Sequence, residues 1–424
     1  MKSFKKKHKT FDNSVSLLSL QSNISSYSDI TEIKKLDSYY PQGSCLSYTA
    51  CSFGKKTVSL NTLKLNRFIG YDEKKLILHV ESGVKISDII NWGLNNNLTL
   101  DVVPGHPDVT IGGCIAANIH GKNSLNDGTF YDVVDEITLF HEKTGKKTLS
   151  RKKNQLLFNE TIGGFGITGL IISAKIKLKI CNSNAFIVDR KKINMYELDF
   201  FKFKRLSKEY DHVYSMTLGD SYENSFLFLG KKIIDTKHDK KNSNLNFHIK
   251  IKLWSRVTVH LAWLIIRLIY KLNPKKIITF FSAHFPFSSN DIYHSFFGNS
   301  AFKEIQFFIK PDKIFLFYDQ FRSINKIYNP TLFFISVKTF KNLNKSSLCP
   351  YGQGFIIAID YYSIPNQKYL DSVYGMLISL DAQINLSKTY DSRLSKKLIP
   401  NYKIFLKKIK KSSFKSDVFN KIFT

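Results

Sequence analysis

His120 and Lys122 are the first side chains in this sequence whose placement suggests chemistry, because they follow a run of small residues. The stretch is IGGCIAANIHGKN, Ile111–Asn123. Small side chains let another group approach the backbone closely, and glycine permits turns that other residues resist. The run therefore predicts either tight packing of two protein segments or contact with a ligand. Taken alone, His120 is most simply a hydrogen-bonded loop histidine and Lys122 a surface lysine.

Two further glycine-rich segments lie in the same half of the chain, PQGSCLSYTA (Pro41–Ala50) and IGGFGITG (Ile162–Gly169). GFGITG matches G-x-G-x-x-G, but the dinucleotide fingerprint needs a helix after the glycines. Here the next residues alternate apolar and polar, which predicts a strand. None of the three segments is predicted to begin a helix. Together they predict a long cofactor held between backbone amides.

The composition indicates a globular chain with two domains. The chain has 424 residues, of which 43% are hydrophobic and 14% aromatic, and its formal net charge is +29. Such a charge suits nucleic acid, an anionic membrane face or a phosphorylated substrate. Lys, Asn, Ile and Phe are all abundant, however, which also fits a compositional drift of a whole proteome. The charge by itself therefore assigns no partner.

The five cysteines form no C-x-x-C pair, which argues against a disulfide framework and a zinc site, and no metal is predicted. The basic N-terminus, MKSFKKKHKT, is not followed by an apolar segment, so a secretory signal is not predicted. A reducing, cytoplasmic setting is the expectation from these two features.

One stretch has a membrane-like composition, LWSRVTVHLAWLIIRLIYKL (Leu253–Leu272). Basic residues interrupt it, and its uncharged runs are far shorter than the roughly 20 residues that span a bilayer. The simpler prediction is a buried or capping helix with basic edges. An interfacial helix on anionic lipid is the alternative, which Lys275 and Lys276 would support.

The elements that must position these residues mix helices and strands without regular alternation, so the predicted class is α+β. The patterns predict a helix over about 87–95 after a turn at Gly83, a hairpin at Thr144 and Gly145, and a strand from Leu170. EIQFFIK and TLFFISVKTF predict two more strands. Residues 235–246 predict a loop, and the C-terminal SKKLIPNYKIFLKKIKK predicts a helix broken near Pro400.

The quoted segments also carry a set of family motifs. PGHPDVTIGGCIAANIHGKNSLNDGTF (Pro104–Phe130) contains a V-T-x-G-G, H-G-K-N and G-[ST]-F series, and IGGFGITGLI contains G-G-x-G-x-T-G. QGSCLSYT stands where G-x-G-x-S-Y-G is expected. The chain thereby resembles the FAD-binding domain of the vanillyl-alcohol-oxidase (PCMH-type) superfamily, and within it the flavin subunits of decaprenylphosphoryl-β-D-ribose epimerases (2′-oxidases).

The resemblance is strongest over residues 38–180, and it implies a domain organisation. A PCMH-type two-subdomain FAD-binding domain would occupy residues 1–182. An antiparallel-sheet substrate (cap) domain would occupy 183–383, and 384–424 would return to the FAD-binding domain.

The resemblance further implies that the cofactor is FAD. Some family members tether the flavin through a histidine whose position is Leu46 here, so the implied FAD is non-covalent. Cys45 and Thr49 replace two glycines of the family's first loop. The implied FAD contacts are Gly43, Ser44, Cys45, Leu46, Ser47, Tyr48, Pro104, Gly105, Thr110, Gly112, Gly113, Ala116, Asn118, Ile119, His120, Gly121, Asn123, Gly128, Gly164, Gly166, Gly169 and Ile171.

Four catalytic positions are carried over directly. His120 and Lys122 would lie beside the flavin ring, and Lys122 would also suit a substrate phosphate. Gln306 and Lys338 match active-site positions on two strands. A lysine within LFFISVK needs a partner or a task if it is buried, although a strand-end lysine can also extend to water.

The chain departs from the family near its C-terminus. The family's lysine directly before D-S-R is Tyr390 here, and Lys388 stands two residues earlier. Because residues two apart on a strand share a face, either Lys388 or Tyr390 would take over that role. In the strand leading to Asp360, Ile356 and Ala358 replace an Asn and a Cys, which makes that wall more apolar.

The activity that the resemblance implies is oxidation of a sugar hydroxyl by an FAD-dependent oxidoreductase. The implied substrate is C2′ of a polyprenyl-phosphate-linked pentose, with a short-chain reductase partner completing an epimerisation of a cell-envelope precursor. The enzyme would then contact the inner face of an anionic cell membrane peripherally. An aldonolactone or free sugar-alcohol oxidase is the alternative. A basic nucleic-acid- or lipid-binding protein without catalysis is a third, but no nucleic-acid recognition module is present, so no nucleic acid is predicted as a partner.

Overall fold

The computed structural model describes residues 2–33, 36, 38–141, 143–219, 222–235, 255–286, 301–391, 395–409, 416, 418, 419 and 421. The predicted loop over residues 235–246 lies outside the described residues except for Asp235, and so do Ser392 and Arg393 of the D-S-R motif.

Two sheets dominate the first part of the chain. The first has the order β1-β2-β4-β3, and β4 runs parallel to both of its neighbours. The second has the order β5-β6-β10-β8-β9 and is antiparallel throughout. A short pair, β7 and β11, lies beside them. The strands are β1 (Phe4–Lys9), β2 (Ser16–Asn23), β3 (Tyr39–Gln42), β4 (Val58–Asn61), β5 (Phe68–Asp72), β6 (Ile77–Glu81), β7 (Leu98–Thr99), β8 (Val134–His141), β9 (Gly145–Ser150), β10 (Leu170–Lys177) and β11 (Lys179–Ile180).

One large sheet occupies the rest of the chain. Its order is β15-β12-β14-β13-β17-β18-β16-β19, and every pair is antiparallel. We call it the eight-stranded sheet. Its strands are β12 (Ala185–Ile193), β13 (His212–Leu218), β14 (Ser225–Ile233), β15 (Lys275–Thr279), β16 (Lys303–Ile309), β17 (Leu332–Asn342), β18 (Gly352–Tyr361) and β19 (Gln383–Ile384).

Helices connect and cover these sheets, so the predicted α+β class with an antiparallel-sheet second part is confirmed. None of the described helices is long and apolar enough to cross a bilayer. The helices are α1 (Tyr27–Glu32), α2 (Ile86–Asn95), α3 (Ile111–Ala116), α4 (Ser124–Asp127), α5 (Phe130–Val133), α6 (Gln155–Thr161), α7 (Phe200–Glu209), α8 (Arg256–Leu272), α9 (Phe280–His284), α10 (Ile314–Tyr328), α11 (Gln367–Ser379), α12 (Ser395–Leu398) and α13 (Tyr402–Ile409).

Most of the local predictions agree with these bounds. Helix α2 begins one residue before the predicted start and buries Ile86, Ile89 and Ile90 on one face. At Gly83 a Cβ would lie 2.0 Å from the Thr62 carbonyl oxygen, so only glycine fits that turn. Gly145 has φ +69° at the tip of the β8–β9 hairpin, as its turn requires. The C-terminal helix is interrupted between α12 and α13, around Pro400.

The prediction that no glycine segment begins a helix is wrong for the second segment. IGGCIA forms the single-turn helix α3, and the Thr110 hydroxyl accepts a hydrogen bond from the Gly113 N–H at its N-terminus. Gly112 passes close to Ser82, where a Cβ would lie 3.1 Å away, so a glycine suits this position of the helix. Tertiary packing has outweighed the low helix propensity of glycine.

Two cores hold the sheets together. One contains Ile115, Ile137 and Trp263 and joins the second sheet to the β14 side of the eight-stranded sheet. The other joins the first sheet to the β16–β18 side and includes residues near the C-terminus, where Phe419 stacks on Tyr40 at 5.8 Å. The C-terminal residues thus pack against the N-terminal sheet. The domain boundaries at 182 and 383 stay predictions.

Candidate active site

A cavity of about 340 Å³ lies where the three glycine segments meet the eight-stranded sheet. Its volume is in the range of small-molecule sites. Residues from the loop after β3, from α3 and its flanks, and from the turn before β10 form one side. Side chains of β16, β17 and the segment after β19 form the other. Ligand-binding sites often lie at such junctions, and a ligand in this cavity would contact both sides.

The cavity brings together twenty of the residues that the sequence suggested. They are Gly43, Ser44, Cys45, Leu46, Ser47, Tyr48, Pro104, Gly105, Thr110, Gly112, Gly113, Ala116, Ile119, His120, Gly166, Gly169, Ile171, Gln306, Lys338 and Lys388.

The first loop has the geometry of an anion-binding turn. Cys45 has φ +59°, the left-handed region in which a glycine is the ordinary choice. The backbone N–H groups of residues 44–47 donate to none of the described residues. Successive free N–H groups around a left-handed residue form a concavity that suits a phosphate or pyrophosphate. Cys45 therefore keeps the backbone shape of the glycine that it replaces.

Two more features of the cavity wall fit a bound cofactor. The Ser82 hydroxyl is buried and has no hydrogen-bond partner among the described residues, although Ser82 lines the cavity. A buried hydroxyl without a partner is costly, so a ligand that bonds it would be stabilising. At Gly105, also in the wall, a Cβ would meet no protein atom within 4 Å, so this glycine leaves room at the rim. The wall thus fits an elongated polar group such as FAD.

Five of the suggested cofactor contacts lie outside the cavity wall, and each has a structural explanation. The Asn123 amide donates to the carbonyls of Ser207 and Tyr210 and so holds the end of α7. The Asn118 side-chain oxygen accepts from the Tyr131 N–H at 2.9 Å. The remaining three are glycines that lie close to other parts of the protein. A Cβ would lie 3.5 Å from Val103 at Gly121, 2.1 Å from Asp132 at Gly128 and 2.1 Å from the Glu160 carbonyl oxygen at Gly164.

Lys122 also lies outside the wall. Its amine donates to the Ala283 carbonyl and lies 5.5 Å from the centre of the Tyr214 ring. Burial and the nearby Lys338 charge lower the pKa of Lys122 well below its usual value. The expectation that Lys122 sits beside the flavin ring or meets a substrate phosphate is not supported by this position.

His120 faces the cavity with its ring edge-on to Phe340 at 5.5 Å. Burial, with a smaller contribution from the Lys338 charge, lowers the pKa of His120 to about 4. The ring is therefore neutral at ordinary pH. Its Nδ1 lies 3.3 Å from the Gly121 carbonyl oxygen, and the bond assigns the proton to Nδ1. Nε2 is then left as an acceptor.

Lys338 lines the cavity from β17, and its amine makes no hydrogen bond or ion pair with the described residues. Burial lowers the pKa of Lys338, while the carboxylate of Glu304 opposes this and the Lys388 charge adds to it. A buried amine with a lowered pKa gives up its proton more readily than an ordinary lysine, as a proton-accepting group requires. The sequence alternative, a strand-end lysine in water, does not describe this position.

A hydrogen-bonded network centred on Glu304 lies next to Lys338. The Lys388 amine donates to Glu304 Oε2 at 3.1 Å, and the Gln306 amide donates to Glu304 Oε1 at 3.2 Å. The Asn385 amide donates to the Gln306 side-chain oxygen at 2.6 Å. Lys388 also lies 3.6 Å from the centre of the Tyr48 ring. The network fixes the amide and the cation that face the cavity.

Of the two alternatives near the C-terminus, Lys388 reaches the cavity and Tyr390 does not. Tyr390 packs against the core that joins the first sheet to β16–β18. The segment after β19 turns at Lys388, whose N–H donates to the Asn385 carbonyl, so alternate residues do not share a strand face as the sequence argument assumed.

Ile356 and Ala358, from which an apolar wall was expected, lie next to Lys338 and Gln306 on the eight-stranded sheet, but neither lines the cavity. Ile356 pairs with Lys338 across the β17–β18 ladder, and Ala358 pairs with Gln306 across β16–β18. Ile356 is buried against Phe308 and Phe340. Lys338 is therefore flanked by hydrocarbon on one side and by the Glu304 network on the other.

The sequence did not identify several residues of the wall. Asn385 carries no local signal, because its contact with Gln306 joins residues that are far apart in the chain. Glu304 lies behind the wall and could have been noticed, since it stands two residues before Gln306 on β16 and alternate residues of a strand share a face. His106 stands within the quoted PGHPD and could have been noticed. The other residues that were missed are Phe11, Tyr40, Pro41, Gln42, Cys51, Ser52, Thr62, Ser82, Val109, Ala117, Phe165, Leu170 and Ser387. Among the described residues, no group of histidine, cysteine, aspartate and glutamate side chains could hold a metal ion.

Known proteins are similar to part of the chain. The decaprenylphosphoryl-beta-D-ribose oxidase of Mycolicibacterium smegmatis is 32% identical over 126 residues, which cover 30% of this chain and 27% of the relative. The D-lactate dehydrogenase of Anaerostipes hadrus is 26% identical over 126 residues, which cover 28% of this chain and 26% of the relative. L-gulonolactone oxidase 5 of Arabidopsis thaliana is 26% identical over 136 residues, which cover 30% of this chain and 23% of the relative.

These matches span about a quarter of the length of the relatives. Residues 34–148 match a family described as an FAD binding domain. The first loop, α3 and the H-G-K-N residues all lie within that match. The chain therefore contains a PCMH-type FAD-binding domain.

Proposed function

We propose that this protein is an FAD-dependent oxidoreductase that oxidises a CH–OH group of a sugar-like substrate. The observation that carries the proposal is the Lys338 amine, which faces the cavity of the FAD-binding domain and makes no bond with a described residue. Relatives of the FAD-binding part are named as an oxidase of a ribose derivative, a lactate dehydrogenase and a lactone oxidase.

Different residues of the cavity would transfer the proton and bind the substrate. FAD, when bound, would accept the hydride that leaves the carbinol carbon. The hydroxyl proton would pass to Lys338, whose pKa is lowered by burial, so that the products are a carbonyl compound and the reduced cofactor. His120, with a neutral ring, and the Gln306 amide would hold the substrate hydroxyls. Lys388 would keep the Glu304 carboxylate in place beside them.

The finer proposal is that the substrate is a polyprenyl-phosphate-linked pentose oxidised at C2′, with a short-chain reductase as partner. The named activity of the mycobacterial relative supports it. An aldonolactone or free sugar-alcohol oxidase is the second candidate. It is favoured by the apolar Ile356 and Ala358 beside Lys338, which depart from the family pattern, and by the similarity to a gulonolactone oxidase.

We also propose that the FAD is not covalently attached, because Leu46 stands at the position of the tethering histidine. The test is the absorbance spectrum of the purified protein before and after acid precipitation. A yellow supernatant is expected. Colour in the pellet would contradict non-covalent binding, and absence of flavin from a folded protein supplied with FAD would contradict the whole proposal.

Substrate class is tested by anaerobic bleaching of the bound flavin. Polyprenyl-phosphate pentoses, free pentoses and aldonolactones are added separately, and Lys338→Met serves as the inactive control. Bleaching by the lipid-linked sugar alone supports the finer proposal. Bleaching by a soluble lactone or polyol supports the second candidate.

A further inference from the structure

Helix α8 has one face that packs on the protein and another that faces outward. Val259 and Trp263 are buried, and the Trp263 indole donates to the Phe333 carbonyl at 2.8 Å. Tyr270 lies against Phe226 and Phe228 of β14, with ring centres 5.1 and 5.5 Å apart. These contacts fix which side of the helix turns away from the eight-stranded sheet.

The outward face of α8 is apolar. Its seven large side chains are 47–76% exposed. Their spacing of three and four residues places them, at about 100° per residue, within one arc of about 140°. They are Val257, Leu261, Leu264, Ile265, Leu268, Ile269 and Leu272. A stripe this continuous is not the scatter of single apolar residues found on any surface, and it marks an interaction site.

Basic side chains border this stripe along one edge. At the same helical spacing, Arg256, His260 and Lys271 fall on the side next to the buried face. Arg267 lies on that side too, but it is half-buried and donates to the Leu218 carbonyl. Lys275 and Lys276 follow immediately and are exposed. No acidic residue occurs between Ser255 and Ile278. The face therefore combines exposed hydrocarbon with charge of a single sign.

We propose that α8 docks the protein on an anionic lipid surface, with the apolar stripe at the acyl boundary and the basic edge among the headgroups. An amphipathic helix with a basic polar border is the pattern of an interfacial helix. Anionic headgroups attract each nearby lysine or arginine. A second copy of the chain is disfavoured as the occupant when its helix runs antiparallel, because that two-fold contact would place the basic edges beside one another.

The docked helix would lie next to the substrate side of the cavity. Lys338 pairs directly with Tyr214, and Tyr214 pairs with Phe228, so the three side chains share one face of the eight-stranded sheet. The Tyr214 and Phe228 rings stack at 4.7 Å, and Phe228 touches Tyr270 of α8. Two strand spacings, about 10 Å, separate the Lys338 strand from the strand under α8. The docking proposal itself does not depend on the proposed reaction.

Co-sedimentation of the purified, flavin-loaded protein with lipid vesicles tests the proposal. Vesicles of phosphatidylcholine alone are compared with vesicles that also contain phosphatidylglycerol. The variants are Leu264→Glu with Leu268→Glu, and Lys271→Gln with Lys275→Gln and Lys276→Gln. Matched controls are Phe201→Glu on α7 and Ile327→Glu on α10, which are 79% and 75% exposed outside the stripe. Bound flavin reports that each variant is folded.

Binding to the anionic vesicles is expected to fall about fivefold for each lysine neutralised and about a hundredfold in the double leucine variant. The controls are expected to bind like the unchanged protein. Equal binding to neutral and anionic vesicles, no binding to either, or binding unaffected by the leucine substitutions would overturn the proposal. A dimer that the leucine substitutions convert to a monomer in sedimentation velocity would also overturn it.

Discussion

The two sides of the cavity present different kinds of chemical groups. The FAD-domain side presents backbone and small residues, with Gly43, Gly112 and Gly113 among them. The opposite side presents the long polar side chains of Gln306, Lys338 and Lys388. The first side is shaped by where the backbone passes, and the second by which side chains are buried together. We therefore expect substitutions on the two sides to separate cofactor retention from turnover.

The sharpest test of this comparison is Lys338→Met on the side-chain wall. Turnover is expected to fall about a thousandfold, because general acid–base groups contribute about 10²–10⁴-fold. Flavin content should not change, since methionine fills a similar volume. Steady-state kinetics with flavin absorbance measures both, and Lys341→Met on the same strand is the control. Retained turnover would remove Lys338 from the reaction.

The converse test is Gly112→Val on the backbone wall. A Cβ there lies 3.1 Å from Ser82, and the added methyl groups would crowd the cavity. Overpacking costs about 1–3 kcal/mol, so the affinity for FAD is expected to fall up to about a hundredfold. Titration with FAD measures it. Gly70→Val, where a Cβ meets no atom within 4 Å, is the control. Normal flavin binding with lost turnover would contradict the comparison.

The pH dependence of stability probes His120, which stands between the two sides. Its pKa of about 4 lies below the ordinary value of 6.5, so the unfolded chain binds more protons between these two pH values. This favours unfolding, and stability falls as pH drops from 6.5 toward 4. At pH 5 the single group accounts for about 2 kcal/mol.

His120→Gln should therefore lose about 2 kcal/mol less stability than the unchanged protein between pH 8 and pH 5. Urea unfolding at the two pH values measures the difference. His141→Gln, on the exposed hairpin, is the control. Equal losses in the variant and the unchanged protein would mean that His120 is not held in a desolvated position.

The smallest expected effect is that of Glu304→Gln, which acts through its neighbours. In the unchanged protein the Glu304 carboxylate binds Lys388 and raises the pKa of Lys338. The variant removes this carboxylate, so the pKa of Lys338 should fall. Turnover is expected to fall about tenfold, as for the loss of one charge-assisted hydrogen bond. The acidic limb of the pH–rate profile should also move to lower pH. Glu136→Gln, which breaks the ion pair with Lys175, is the control. An unshifted limb would assign Glu304 a structural role alone.

The sequence predicted the backbone side of the cavity better than the side-chain side. The glycine segments are local, and their motifs point to the first loop and to α3 without long-range information. The suggested cofactor contacts at Gly128 and Gly164 stay predictions, and both glycines pack within the protein, beside Asp132 and Glu160. A glycine can be required where the backbone contacts another part of the protein or where it contacts a ligand. The sequence does not distinguish these two situations.

The sequence by itself determined the α+β class and the FAD-binding motifs, because periodicity and glycine spacing are properties of short segments. Only the tertiary structure decided that Lys122 turns away while Lys388 reaches the cavity. It also decided that Glu304 lies beneath Lys338 and that the apolar stripe of α8 faces outward. These outcomes depend on the register of strands far apart in the chain and on which face of a helix is buried, and no local pattern fixes either.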